Sequence, residues 1–211
     1  MEGSGDVEYL ANKPMSNNLV GHGIICKDSK NTHLVNELDI PITVLGLSNV
    51  VVAASPDGIL VSDKGASPRV KTVMSGFNHR PMYEERRWGW YKVLDRMTYP
   101  SGQEVLTKRI GINAGKNLSY QVHYQRNEVW TIVQGEGEFA INDVIYPVKP
   151  GDVLQIPMQS KHAIRAITNL ELIEVQTGTE LVEEDIIRLL MTWEEIERQC
   201  IRARAPFAAI G

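Results

Sequence analysis

The pattern of apolar and polar positions changes twice along the chain. Up to about residue 78, apolar residues come in short runs, notably "ITVLGL" and "NVVVAASPDGILVSD". In the second run Ser55-Pro56-Asp57-Gly58 is turn chemistry between two strand-like halves, which predicts a β-hairpin. Glycine, serine and proline then crowd into "KGASPR" and "MSGFNHRPM", placing a boundary within residues 75–82. From Trp88 to about Thr179, short strand-like segments alternate with "YPSGQ", "NAGKN", "QGEG", "IND" and "VKPGD". Many short strands with regular turn signals predict a sandwich or barrel and argue against a βαβ fold. In "LVEEDIIRLLMTWEEIERQCIRAR" the period changes again: Ile186, Leu189, Leu190, Trp193, Ile196 and Cys200 recur at helical spacing. One amphipathic helix is expected to close the domain.

Composition narrows the setting. At 211 residues the chain can bury a substantial core and still carry an extension. Hydrophobic residues at 43% and charged residues at 23% are ordinary for a globular protein. A formal net charge of -4 gives no reason to expect nucleic acid or an anionic membrane as partner, while leaving room for a local basic pocket. Cys26 and Cys200 lie far apart with no metal or redox spacing, so they read as two free thiols in a reducing, cytoplasmic compartment. The N-terminus has no apolar run of signal-peptide length, and no stretch approaches the ~20 apolar residues of a membrane span. A soluble protein is expected.

Candidate chemistry concentrates in "GKNLSYQVHYQRNEVWTIVQGEG", residues 115–137. Gln121 and His123 are two apart, so on a strand they leave the same face and can share one ligand. Glu128 has the opposite parity, but "YQRN" is polar enough to turn the chain, so a hairpin is expected to bring Glu128 alongside them. Glu128, Trp130 and Ile132 then face one way, where a carboxylate needs a cation to neutralise it. A divalent metal supplies that compensation. One hairpin later, "GDVLQIPMQSKHAI" offers His162 as the fourth ligand. The mixed nitrogen and oxygen set suits Zn²⁺, and Mn²⁺, Fe²⁺, Co²⁺ and Ni²⁺ also accept it. Trp88, Trp90 and Trp130 read as barrel packing, and His22, His33 and His79 as structural or exposed residues.

These positions resemble a known family. Gly115, Gln121, His123, Glu128 and Gly135 resemble the first cupin motif, with glutamine where many cupins have a histidine. Gly151, Pro157 and His162 resemble the second, with Gln159 and Ala166 where that pattern has glycine and asparagine. Within the cupins, the sequence is most similar to the C-terminal, type II mannose-6-phosphate isomerase domain of bifunctional mannose-1-phosphate guanylyltransferase/mannose-6-phosphate isomerases. "RRWGWYKVL", "LTKRIGINAG", "QVHYQRNEVW", "LELIEVQTG" and "EEDIIR" carry that likeness over residues 80–190. "NVVVAASPDGILVSDK" resembles the end of the nucleotidyltransferase part, although no glycine-rich nucleotide loop precedes it, so guanylyltransferase activity is not expected.

The resemblance implies an all-β cupin, a double-stranded β-helix or jelly-roll barrel, over residues 79–211 with its C-terminal helix, preceded by a β-rich segment 1–78. It implies an enzyme: a metal-dependent isomerase interconverting mannose 6-phosphate and fructose 6-phosphate through an enediolate, the metal held by Gln121, His123, Glu128 and His162. The substrate phosphate needs a cation, and Lys108, Arg109 and Arg126 match family positions, with Arg86 and Arg165 behind them. Parity keeps Lys108 and Arg109 from both pointing inward, and Arg109 is favoured. Lys161 and Glu138 are unranked candidates for the proton-transferring base. The alternatives are a non-catalytic sugar-binding cupin and a partner subunit of a separate mannose-1-phosphate guanylyltransferase. A homodimer is expected by analogy with other cupins.

Overall fold

The computed structural model describes residues 16–77 and 80–204. The chain divides into two compact units, one ending at Pro81 and the other beginning at Met82. The expected division after residue 78 falls on Asn78 and His79, which lie outside the described residues, as does the reading of His79.

In the first unit the described strands are β1 (Asn18–Gly21), β2 (Gly23–Ile25), β3 (His33–Asn36), β4 (Ile42–Val44), β5 (Val50–Ser55) and β6 (Gly58–Asp63). β5 and β6 pair antiparallel across Pro56-Asp57, which is the hairpin the turn chemistry predicts. The remaining pairing is parallel: β1 with β3, β3 with β5, and β2 with β4. Parallel neighbours usually need a helical crossover, yet none intervenes here. His33 pairs with Val51 and Gly23 with Ile42, so successive circuits of chain stack on one another as in a solenoid. Leu34, Val44 and Val52 are buried between the circuits. A 3₁₀ turn over Lys64–Arg69 leads into the short helix α1 (Val70–Met74).

The second unit is built from β7 (Tyr83–Arg86), β8 (Gly89–Thr98), β9 (Glu104–Ile112), β10 (Tyr120–Val122), β11 (Arg126–Gln134), β12 (Gly137–Ile141), β13 (Val144–Val148), β14 (Val153–Ile156), β15 (His162–Ala166), β16 (Leu170–Gly178), β17 (Ile187–Leu190), α2 (Trp193–Gln199) and β18 (Ile201–Arg202). The strands make two six-stranded sheets, ordered β17-β10-β15-β12-β13-β18 and β14-β11-β16-β9-β8-β7. From β10 onward the chain changes sheet repeatedly: β10 lies in the first, β11 in the second, β12 and β13 in the first, β14 in the second, β15 in the first and β16 in the second. That alternation winds a double-stranded β-helix, so the unit is an all-β cupin barrel.

Strand alternation fills the barrel. Leu106, Ile110 and Ile112 of β9, Trp130 and Ile132 of β11, and Leu170 and Leu172 of β16 point inward and pack with Phe139, Leu154 and Ile164. Gly135 turns β11 into β12 at φ 80, where an added Cβ would meet the Asn169 carbonyl oxygen at 2.1 Å, so only glycine fits. Gln159, at the position where the cupin motif has glycine, adopts φ 67 and anchors its loop by donating its backbone N–H to the His123 carbonyl at 2.7 Å.

Two expectations about elements are corrected. β10 and β11 do not form a hairpin; they belong to opposite sheets, and residues 123–125 are the corner between them. The closing helix is also shorter than its apolar period suggests. Thr192 and Glu195 form a capping box that starts α2 only at Trp193. Upstream, Ile187–Leu190 extends as a strand against β10, because the open edge of that sheet offers backbone partners. Trp193, Ile196 and Cys200 do bury together on one side of α2. Both cysteines are free. Among the described residues no helix is long and apolar enough to cross a membrane.

Candidate metal centre and its cavity

The barrel interior gathers three of the four predicted ligands. One nitrogen each from His123 and His162 and a carboxylate oxygen of Glu128 lie within 4.8 Å of one another, and all three residues are buried. His123 Nε2 stands 3.4 Å from Glu128 Oε1, and His162 Nε2 stands 3.5 Å from Glu128 Oε2. Each histidine is oriented through its other nitrogen: Nδ1 of His123 donates to the Asp185 carbonyl at 2.5 Å, and Nδ1 of His162 to the Ser160 carbonyl at 3.0 Å. Both Nε2 lone pairs are thereby left facing the carboxylate, which is how histidine ligands are commonly braced.

Gln121 arrives from the neighbouring strand, in register with His162. Its amide nitrogen is 3.4 Å from His123 Nε2, and its Oε1 accepts from the Ser119 hydroxyl at 2.9 Å. Turning the amide over aims the oxygen at the same point, with the Ser119 hydroxyl then accepting. The donor set fits a divalent ion on one further observation: His162 Nε2 is buried without a hydrogen-bond partner, and an orphaned ring nitrogen inside a barrel calls for a cation or a donor.

Electrostatics agree with that reading. Burial pushes the His123 imidazole down to about 4, against the raising influence of Glu128, so at neutral pH it is an unprotonated donor. Burial alone would raise Glu128, but the contacts and charges of His162, His123 and Arg126 outweigh it and hold the carboxyl below its usual range. Arg126 makes the closest of these contacts, its Nε donating to Glu128 Oε1 at 2.8 Å.

Arg126 thus belongs to the barrel interior. It is buried at the start of β11, with Nη2 3.2 Å from His123 Nε2 and Nη1 bonded to the carbonyls of Val182 and Asp185. The other two cations exchange roles relative to expectation. Arg109 points out of the barrel, pairs with Glu171 at 2.5 Å and lies over Trp90. Lys108 points in: it is buried, 3.1 Å from Glu183 and 3.9 Å from Glu174. Parity does admit only one of the pair, and the inward phase of Leu106 and Ile110 selects Lys108. Arg165 and Glu138 are paired with each other, and Lys161 is paired with Asp143, so none of these three joins the ligand cluster.

With His123 and His162 behind them, off its wall, Glu128 and Gln121 line a cavity of about 240 Å³. That is below the ~300–1,000 Å³ of drug-sized pockets and suits a small metabolite.

Residues 75–190 match the family described as mannose-6-phosphate isomerase, C-terminal. The chain belongs to this family. A mannose-1-phosphate guanylyltransferase of Salmonella muenchen is 31% identical over 189 residues, which cover 85% of this chain and 39% of that protein. Xanthan biosynthesis protein XanB of Xanthomonas campestris pv. campestris is 34% identical over 184 residues, covering 82% and 38%. The chain thus spans well under half the length of these relatives. Among solved structures, the capsular polysaccharide assembling protein CapF of Staphylococcus aureus aligns with TM-score 0.44 and 15% identity, over 55% of this chain and 36% of that one. KdgF from Halomonas sp. aligns with TM-score 0.38 and 13% identity, over 49% and 87%.

This member of the mannose-6-phosphate isomerase C-terminal family also places in the cavity two residues that sequence reasoning missed. Glu174 and Gln176 lie on the inward face of β16, both buried. Trp130 Nε1 donates at 3.1 Å to Glu128 Oε2 and to Glu174 Oε1, and Gln176 Nε2 lies 3.3 Å from Glu128 Oε1 and 3.0 Å from Glu174 Oε2. Two donors thus hold two carboxyls in one frame. Burial, followed by the nearby charge of Glu128, pushes Glu174 up to about 7, although Lys108 and Arg126 pull the other way.

Proposed function

We propose that the second unit is a metal-dependent isomerase that interconverts mannose 6-phosphate and fructose 6-phosphate. The observation that carries this reading is the convergence of His123, Glu128 and His162 beside a cavity whose wall holds a second buried carboxyl, Glu174. Aldose-ketose isomerisation moves a proton from C2 to C1, so it needs charge stabilisation at the sugar oxygens and one group that both takes and returns the proton. A divalent ion, held by His123, Glu128, His162 and Gln121, would supply the Lewis acidity that stabilises negative charge developing on O1 and O2. Zn²⁺ suits this set, as do its first-row neighbours.

Glu174 carries the proton. Its carboxyl is buried and lines the cavity, and burial pushes it up from the ordinary carboxylate range toward neutrality, where a group can both accept and donate. Trp130 and Gln176 fix its oxygens, and Lys108 Nζ, 3.9 Å from Oε2, favours its carboxylate form when the base must be free.

A coupled assay for fructose 6-phosphate formation, run with and without chelator, tests the reading. Chelator-sensitive turnover is expected, and Glu174→Gln should lower kcat by about 10²–10⁴ while bound metal is retained. A purified, metal-loaded chain with no turnover would remove the isomerase assignment.

One observation favours a second reading: the relatives in question carry the guanylyltransferase name, and this chain spans 39% of one of them. The chain would then serve as the partner subunit of a separate mannose-1-phosphate guanylyltransferase. Sedimentation of the two proteins together tests this, and independent sedimentation at micromolar concentration counts against it.

A further inference from the structure

Among the described residues, four cationic side chains line the cavity: Arg86, Lys108, Arg126 and Arg188. Three are already matched with carboxylates. Arg86 pairs with Glu84 at 2.7 Å, Lys108 with Glu183 at 3.1 Å, and Arg126 with Glu128 at 2.8 Å. Among the described residues, the Arg188 side chain has no hydrogen bond or ion pair.

An exposed arginine without a partner is ordinary on a protein surface. The placement of Arg188 is not. It sits on β17 directly across from Gln121 of β10, and residues opposite one another on adjacent strands share a face, with Cβ atoms about 5 Å apart. Gln121 faces the ligand cluster, so Arg188 emerges on that side, at the rim of the same cavity. Ile186, just before β17, lines the cavity too. The pairing is irregular between Tyr120 and Gln121, and such bulges re-aim side chains next to functional sites.

We infer that the Arg188 guanidinium receives the phosphate of the sugar phosphate, holding the substrate with its carbonyl end toward His123, Glu128 and His162. The inference deepens the isomerase reading and rests on it for the direction in which the sugar lies. A hexose 6-phosphate carries its reacting carbons at one end and its dianion at the other. With the reacting end at the ligand cluster, the dianion reaches toward the rim, where the unmatched cation is. Guanidinium offers a planar fork of donors that matches phosphate oxygens two at a time. Lys108 and Arg126 cannot take this part without releasing a carboxylate buried beside them.

The test uses the metal-loaded full chain and measures equilibrium binding of mannose 6-phosphate and of inorganic phosphate by calorimetry, with KM read separately in the isomerase assay. Arg188→Ala is expected to weaken mannose 6-phosphate binding at least about tenfold, to raise KM in step and to abolish competition by inorganic phosphate, with metal content unchanged. Arg188→Lys should recover part of the loss. Wild-type affinity in Arg188→Ala overturns the assignment, as does a wild-type chain that binds neither ligand. Binding that depends on Arg188 in a chain without turnover leaves the phosphate site standing and removes the isomerase reading. Turnover with an unchanged KM in Arg188→Ala does the reverse.

Discussion

Glu174 and His123 are displaced in opposite directions by one cause, since burial disfavours whichever form is charged. The carboxyl rises from 4.5 to about 7, and the imidazole falls from 6.5 to about 4. In the metal-free chain the two therefore bend the pH dependence of stability oppositely. Folded Glu174 holds its proton more tightly than the unfolded chain does, so its contribution is full below pH 4.5 and is lost as pH rises through 7. Folded His123 holds its proton less tightly, so its contribution is full above pH 6.5 and is lost as pH falls through 4. From pH 4.5 to 6.5 the slopes oppose each other. Glu174→Gln removes the falling one, and its melting temperature should rise over that interval by a few °C more than that of the wild type, at ~2–4 °C per kcal/mol for a chain of this size. Thermal melts in chelator measure this, and superimposable profiles would refute it. At this scale much was legible in the sequence and some of it was misread. Glu174 and Gln176 share parity with Leu170 and Leu172, so "LELIEVQTG" carries two polar residues on a buried face, the signal that exposed Glu128. The choice of Arg109 over Lys108 ignored the phase that Leu106, Ile110 and Ile112 set.

The corner between β10 and β11 brings together groups that a single strand would hold apart. His123 ends one sheet, Glu128 sits in the other, and residues 123–125 change direction between them. Asp185, from the segment before β17, pins this corner: its carboxylate accepts the backbone N–H of Tyr124 at 2.9 Å and of Gln125 at 3.1 Å, while its carbonyl receives His123 Nδ1 and Arg126 Nη1. Asp185→Ala keeps the backbone carbonyl that receives His123 Nδ1 but removes the carboxylate that holds the Tyr124 and Gln125 N–H groups, so the strands should stay intact and metal binding should weaken by about 10-fold, the lower end of the cost of disturbing a ligand's support. Asp185→Asn, which keeps one acceptor oxygen, should fall between. Competition against a chelating dye measures both, and wild-type affinity in Asp185→Ala would refute the bracing role. The sequence foretold strands on either side of "YQRN" and a change of direction there. It could not tell a hairpin from a step between sheets, because both need only a short polar link, and the difference lies in which distant strands, β14 to β17, supply the partners. The same ambiguity hid β17. Ile186, Leu189 and Leu190 fit a helical period, and tertiary pairing against β10 overrode it.

Over the whole molecule, a sandwich or barrel was legible because strand count and turn spacing are local properties, and the cupin resemblance chose the barrel, whereas the stacked circuits of the first unit were not legible, because parallel pairing joins positions with no local mark. Each unit has its own core, and every residue that forms or braces the candidate centre belongs to the second. The Arg126 Nε–H bonds to Glu128 Oε1 and its Nη2 faces His123 Nε2, so the guanidinium already contacts two of the atoms that a metal would use. Arginine and metal are therefore alternative counter-ions for one buried carboxylate. Breaking a buried pair by removing one partner typically costs about 3–5 kcal/mol, so Arg126→Leu should lower the melting temperature in chelator by about 10 °C. An added divalent ion replaces the missing charge in that variant, but in the wild type it must first displace the guanidinium. Zn²⁺ should consequently raise the melting temperature of Arg126→Leu by more than it raises that of the wild type, bringing the two together at saturating metal. Equal shifts in the two proteins would mean that the ion and Arg126 do not share Glu128, and the ligand set would have to be drawn elsewhere.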